Sequence, residues 1–568
     1  MLQSPSTTQY CPNGQTTDVP PNWPYQTRPG ANFAGAWQTL VNNGATGSDA
    51  TAPIADIDTG LARIPDYPQH VTYQVDVASG QGTEAAIAPA QGASSHGNQT
   101  AGIMVAATGN GIALPGAAQN TDLLFYRAAT QQAPNSVNTH LAATAVIDAA
   151  YRGARVILLP FASTAPTPDL GAAVARAQDL GAVVVADAGS SGNSDPAYPA
   201  SYPGVIGVSA IDDESAPSNT DSFGPDVDLA APGVNIKVDD ASDATGYSCR
   251  NGSAYAAAFV AAAASLVLRA NPALAPGDVT QILTGTARDI TVAPAATGSD
   301  PYTGTGALDA GAAVNRALAS VGQVAPWITA DTDTASTAGQ GMLVRLGVGG
   351  ATNIAATGLP VGLAVGHDGI GWYIQGAPTK AGAYPVTLTA TGPRGAKAIA
   401  LTITVAHGAA TRVTPNTGLT RKRLEFRTGI AATVLAHDAY GNTWTAPGTE
   451  LYSRPGCKYP HGKGKAVRTC TVKVFLTGST LSGAVKLKVY DGTRLKVKAA
   501  GTPKPGKRIK AVVTPKHWPV AYQWYKNGHK VKGHAARKYA YRVPKSVKHA
   551  KYTVKVTLAY GRGKSTVR

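Results

Sequence analysis

The chain has 568 residues, more than one domain holds, and its 63 Gly and 39 Pro beside 7 Phe and 3 Met point to many turns and short strands. The net charge of +16 is unevenly divided: residues 408–568 carry 34 Lys and Arg against 4 Asp and Glu, a balance of +30, leaving 15 basic and 29 acidic residues before them. No run of about 18 apolar residues occurs, which excludes a membrane span at this level, and the four cysteines lack the Cys-x-x-Cys spacing of common metal and redox sites.

Taken in order, residues 1 to about 50 are polar and rich in Pro, Asn and Gly, with one short helix predicted around 34–41. From roughly 52 to 320, β-like runs at 54–57, 122–126, 155–159, 182–186 and 205–209 alternate with Ala-rich helical stretches, 137–152 and 169–180 among them. That alternation predicts an α/β domain with a largely parallel sheet flanked by helices. The stretch 256–268 is apolar on every face, which predicts a buried central helix. After about Ser320 helical patterning ends. Residues 326–405 read as short alternating strands with Gly/Pro turns, hence a β-sandwich, and two further β regions follow. The predicted domains are 1–322, 323–407, 408–486 and 487–568.

The cysteines fall into pairs by region, Cys11 with Cys249 in the acidic part and Cys457 with Cys470 in the basic part. An even count so distributed favours two disulfides and an exported protein. The first residues, Met1-Leu-Gln-Ser-Pro5, lack the charged and apolar regions of a secretory signal.

Three segments carry chemistry. Ile54-Ala-Asp-Ile-Asp58-Thr-Gly60 is a strand ending in a carboxylate and a tight turn; Ser95-His96-Gly97-Asn-Gln-Thr-Ala-Gly102 opens a small-residue helix with histidine; Asn251-Gly252-Ser253-Ala254-Tyr255 is a Gly turn leading into the buried helix. Each alone is weak. A lone His-Gly is more often a loop histidine, a Gly-Ser-Ala start more often a simple helix cap, and the single Asp-Thr-Gly is half of what an aspartic peptidase needs.

Together and in this order they resemble the subtilisin-like (S8) serine peptidase family, over about residues 20–320. The family's Val-Ile-Asp-Thr-Gly is similar to residues 56–60 and implies Asp58 as triad acid. Its His-Gly-Thr-x-Val-Ala-Gly is similar to residues 96–102 and implies His96 as base. Residues 201–210, Leu229-Ala-Ala-Pro-Gly233 and residues 303–310 are similar to further family stretches. The resemblance implies a subtilisin-like fold and the role order Asp, His, Ser.

The departures fall at the chemistry. The family's Gly-Thr-Ser-x-Ala-Ala-Pro corresponds to residues 252–258, so Ser253 takes the threonine slot and Ala254 the nucleophile slot. Reading Ser253 as nucleophile would shift the helix by one residue, about 100°, and lose the agreement at Ala256, Ala257, Val260 and Ala261. The family's Ala-Ala-Gly-Asn-Ser-Gly corresponds to residues 187–192, so Ser190 stands where the oxyanion asparagine is implied; Asn193 is the nearby alternative donor, although both read most simply as turn residues. Pro160 and Phe161 stand on the strand implied to pair with extended substrate, where Pro160 offers no N–H, and Asn98 and Gln99 differ from the usual residues beside the histidine.

Without a hydroxyl at 254 no acyl-enzyme forms there, so the expectation is a subtilase-type protein with a degraded centre that binds peptide or protein in its cleft. Several departures together favour natural loss over a single engineered substitution. The alternatives are a serine endopeptidase working through Ser253, or a purely adhesive protein. No cofactor is expected; family members often bind Ca²⁺, but no loop here is specific enough to assign ligands, and the metal site expected is none. Residues 326–405 and 487–568 resemble bacterial immunoglobulin-like modules, through Gly358-Leu-Pro-Val-Gly-Leu363 and Tyr522-Gln-Trp-Tyr-Lys-Asn-Gly528 respectively. The basic half is expected to meet an anionic cell-wall polymer. Its interleaved aromatics are more often core than a nucleic-acid platform, so nucleic acid is not the expected partner. The expected location is extracellular or cell-surface.

Overall fold

The computed structural model describes residues 11, 22–27, 29–44, 52–90, 93, 95–108, 115–241, 246–415, 430–458, 467–490, 496–500, 504–514, 520–533, 540–546 and 550–558. The start of the chain, where the absence of a signal pattern was noted, lies outside them, as do the side chains of Cys457 and Cys470. The chain forms two compact units, one made of residues up to 336 with 341–377 and 383–404, the other of 337–340, 378–382 and the residues from 405 onward.

The first unit contains an α/β body. Its elements are α1 (Phe33–Asn42), β1 (Ile54–Asp58), β2 (Val71–Asp76), α2 (Glu84–Ile87), α3 (His96–Val105), β3 (Leu123–Arg127), α4 (Thr139–Tyr151), β4 (Val156–Leu159), α5 (Pro168–Asp179), β5 (Val183–Asp187), β6 (Ile206–Ile211), β7 (Leu229–Pro232), β8 (Ile236–Asp239), β9 (Tyr247–Arg250), α6 (Ser253–Ala270), α7 (Pro276–Gly285) and α8 (Ala310–Ala319). Seven strands form one sheet in the order β2-β3-β1-β4-β5-β6-β7, every adjacent pair parallel. Parallel strands covered on both faces must be apolar on both, and every residue of β1, β3, β4, β5, β6 and β7 is buried.

Successive strand residues alternate between two cores. Ile54, Leu123, Phe125, Leu158 and Val185 pack with α1, α3, α6 and α8, while Ala55, Ile57, Leu124, Ile157 and Val184 pack with α4 and α5. The helix α6 is buried along all 18 residues. By length and composition it is a helix that could cross a membrane, the one such among the described residues, yet its whole length lies inside the protein. Its alanines allow a close approach to the sheet, and Phe259 fills the space beside Tyr25 and Phe33, each ring centre 5.8 Å away. Burying such a side chain contributes about 1.5–3 kcal/mol.

The strand order turns at β1: β3 lies on one side and β4 on the other. Such switch points leave a crevice at the carboxyl ends of the strands. Asp58 ends β1, Pro160 follows β4, and Asp187 ends β5, so all three stand on that edge.

Residues 327–406 form two four-stranded sheets, tied to the α/β body within the first unit by the Trp327 Nε1–H bond to the Ala273 carbonyl (2.8 Å) and by the Arg176–Asp331 ion pair (2.6 Å). In the second unit, strands between Arg412 and Tyr490 make a five-stranded antiparallel sheet. There Cys457 and Cys470 are register partners on adjacent strands. Two three-stranded sheets follow, around a small core of Trp524, Ile509, Val543 and Val554. Trp524, the central aromatic of the 522–528 stretch, is fully buried and serves as core.

Candidate active site

The site is built from the end of β1 and the start of α3. Asp58 is 1 % exposed, and its Oδ2 lies 2.8 Å from His96 Nδ1. The other oxygen accepts the Thr59 N–H (2.5 Å) and hydroxyl (3.1 Å). Burial pushes Asp58 up, but the charge and hydrogen bond of His96, with those from Thr59 and Thr100, outweigh it and hold the carboxyl below its ordinary value. Burial likewise opposes a charge on His96; the Asp58 carboxylate, by its charge and its hydrogen bond, outweighs this and lifts the imidazole to about 9. Each group thus favours the charged form of the other.

The backbone allows this close approach only because of small residues. A Cβ on Gly97 would stand 2.3 Å from the Gly60 carbonyl oxygen, so the turn after Asp58 and the first turn of α3 touch directly. Asn98 clamps the same turn: its Oδ1 accepts the Ala62 N–H (2.8 Å) and its Nδ2–H donates to the Ala62 carbonyl (2.7 Å). From the other side Gln99 Oε1 accepts the Tyr255 hydroxyl (2.7 Å), and the Tyr255 ring centre lies 5.7 Å from that of His96. Asp240 completes the support, accepting from Ser95 (2.6 Å), Gln99 (3.3 Å), Ser248 (2.6 Å) and Arg250 (2.6 Å). Ser248 and Arg250 flank Cys249, which is disulfide-bonded to Cys11.

The facing side is the 187–192 turn and the start of α6. Ser253, 1 % exposed at the first helical position, donates its hydroxyl to Asp187 Oδ1 and lies 3.3 Å from the Gly189 carbonyl. Asp187 Oδ1 also accepts the Gly189 N–H (2.6 Å). Burial lifts the Asp187 carboxyl above its ordinary value, partly offset by these bonds. Ala254, the next residue, is 8 % exposed. Ser190 is exposed on the turn, and Asn193 bonds locally to Asp195 (2.9 Å). Behind the turn, Asp221 accepts the Ala210 N–H (2.6 Å) and is pushed up to about 7 by burial, with Asp187 adding to the effect.

A cleft of about 620 Å³ opens over the dyad, lined by Asp58, His96, Val137, Thr139, Pro160 and Phe161 among others. With Nδ1 engaged by Asp58, Nε2 is the ring atom through which His96 meets a ligand. Among the described residues no group of three or more His, Cys, Asp or Glu is placed to hold a metal ion.

The Subtilase family (peptidase S8) matches residues 50–340. The chain belongs to the subtilase family. Similar curated proteins include an alkaline protease of Alkalihalobacillus alcalophilus, 30 % identical over 48 % of this chain and 66 % of that protein. A thermophilic serine proteinase of Bacillus sp. strain AK1 is 35 % identical over 41 % of this chain and 54 % of its own length. Subtilisin Savinase of Lederbergia lenta is 29 % identical over 48 % of this chain and 93 % of its own. The match thus spans less than two thirds of the first two relatives.

Among subtilases, then, this chain has Asp58 and His96 in contact, Pro160 and Phe161 on the same cleft, and Ser253 turned into the protein toward Asp187. Asn98 and Gln99, departures from the family motif, have local roles as clamp and as link to Tyr255. Sequence reasoning missed Asp56 and Thr100. Thr100 Oγ1 lies 2.9 Å from Asp56 Oδ2 and 3.1 Å from Asp58 Oδ2, beneath the dyad. The signal was in the motifs: both positions carry valine there. The role of Asp187, in an alanine slot of the motif, was likewise open to notice.

Proposed function

We propose that this subtilase binds an extended peptide or protein segment in its cleft and does not cleave it. The observation that carries this reading is the direction of Ser253: its hydroxyl, one residue before position 254, is buried and bonded to Asp187, and that of Tyr255 is given to Gln99, while residue 254 has none to offer His96. Loss of the serine in a peptidase of this family lowers kcat by roughly 10⁶-fold. Without an acylating group, what Asp58 and His96 supply is a fixed ion pair at the base of a cleft whose wall includes Pro160 and Phe161. In the same reading Ser190 replaces the oxyanion asparagine with a shorter donor.

The wider reading is an extracellular, surface-associated protein. The Cys11–Cys249 disulfide supports export. The strands of 327–406 and 496–558 are taken as immunoglobulin-like modules that space or attach the α/β body, and the +30 balance of residues 408–568 favours an anionic wall polymer as the surface.

A fluorophosphonate probe tests the central claim. No covalent labelling is expected; labelling that disappears in Ser253→Ala would establish a working nucleophile and sink the reading. Binding of a fluorescent peptide library by anisotropy should be lost in a Phe161→Asp variant. For the surface role, sedimentation of the full chain with cell walls should fall as salt rises; salt-independent binding would reject electrostatic attachment.

A further inference from the structure

Asp56 and Thr100 are two departures that answer one another. Each stands where the family's motifs have valine, one on β1 and one on α3, and they are hydrogen-bonded across the core. Asp56 has no exposed surface, its Oδ1 has no hydrogen-bond partner among the described residues, and the neighbour of its Oδ2 is the Thr100 hydroxyl. An ionised carboxylate in that position would lie beside Asp58 with no cation of its own. The guanidinium on the adjacent strand, Arg127, is committed to Asp76 at 3.0 Å. Two carboxylates that share one hydroxyl do not both ionise, and an unpaired buried charge is removed by neutralisation. Asp58 is the one that keeps its charge, because His96 and Thr59 stabilise it.

The proton count then bears on the direction of the bonds between the carboxylates and Thr100. Thr100 has one hydroxyl proton and, within reach, two carboxylates and the more distant His96 and Gly97 carbonyls, each at 3.3 Å. If Asp56 carries a proton, its O–H donates to Thr100 Oγ1, and the Thr100 proton is free to donate to Asp58 Oδ2. We propose that Asp56 is a neutral positioning residue that, through Thr100, fixes the Asp58 carboxylate against His96.

Asp58 Oδ2 is then held by Thr100 and His96, Oδ1 by the two Thr59 donors, and the carboxylate cannot turn. The other titratable groups facing the set are Asp187 at the end of β5, whose charge reaches His96, and Tyr255 on α6, a hydroxyl that burial keeps neutral. Asp56 itself adds no charge to the dyad, so the proton affinity of His96 is set by Asp58 and Asp187.

The test uses the full chain without ligand, so its outcome is separate from that of the peptide-binding reading. Infrared difference spectra at neutral pH should show a protonated carboxyl C=O stretch in the wild type that Asp56→Asn removes; absence of that band overturns the proposal. NMR titration of His96 gives the second readout. Asp56→Asn keeps a donor to Thr100 and should leave the His96 midpoint unchanged. A tenfold loss of His96 proton affinity would mean that Asp56 had been charged, and would overturn it. The double variant Asp56→Val, Thr100→Val restores the apolar pair and removes one donor from Asp58. With its charge less shared, Asp58 should raise the His96 proton affinity severalfold; an unchanged midpoint rejects the positioning role.

Discussion

The two sides of the Asp58–His96 pair depart from the family's motifs in different ways. On the β1–α3 side the acid and the base are in contact, every oxygen of Asp58 is bonded, and Asn98, Gln99 and Tyr255 brace the turn and helix that carry them. On the facing side, Ala254 presents a methyl group, Ser190 is a surface residue, and Asp187 places a carboxyl beside the helix start. A working peptidase needs both sides, because the base has no function without a proton to take. The difference shows that the Asp58–His96 pair is held by packing as well as by its own contact. Asp58 and His96 are embedded in a hydrogen-bonded network and are costly to remove singly, whereas the Ala254 methyl group takes part in no hydrogen bond.

The strongest way to break this contrast is to rebuild the altered side. Ala254→Ser with Ser190→Asn should yield fluorophosphonate labelling and casein hydrolysis. Ala254→Ser alone should be roughly 10²–10³-fold slower, the known scale for one oxyanion donor in this family. If the double variant is inert, Asp187 or the cleft wall also blocks turnover and the altered side is larger than two residues. A smaller effect concerns the disulfide, whose β9 segment supplies Ser248 and Arg250 to Asp240 and so braces both sides. Cys11→Ser with Cys249→Ser opens a link 238 residues apart in sequence. It should cost about 2–5 kcal/mol in denaturant unfolding; an unchanged midpoint would place the brace elsewhere.

Smaller again is Ser253→Ala, which leaves Asp187 without one donor in a buried site. About 1–3 kcal/mol of stability should be lost, with no change in the absence of labelling. A separate readout is the titration of the dyad. Because His96 is lifted from about 6.5 to about 9, its contribution is complete below about 6.5 and disappears as pH rises through about 9. Asp58, held low, contributes above the ordinary carboxylate range and loses that contribution as pH falls through it. The thermal midpoint of wild type relative to His96→Gln should follow that bell; a flat difference would mean that the pair is not ionised.

Much of this was legible in the residues. Continuous apolar runs bounded by Ala-rich stretches are dictated by a parallel sheet covered on both faces, so β1, β3, β4, β5 and β6 could be read to within two residues. An all-apolar stretch such as 256–268 has nowhere to lie but inside. The order of Asp58, His96 and the Gly252 turn named the family before any geometry was known, because each motif couples a chemical group to the small residues its approach requires, as Gly97 does against Gly60. What the sequence could not decide was direction and partnership. Whether Ser253 faced His96 or Asp187 depended on the phase of α6 against a turn some sixty residues earlier. That Asp56 and Thr100 meet depends on how α3 crosses β1, and that Cys11 reaches Cys249 depends on the path of the chain over a sequence separation of 238. Local patterns are set by the period of the backbone and are written in neighbouring residues; hydrogen-bond partners far apart in sequence are chosen only when the core closes and each buried donor must find an acceptor.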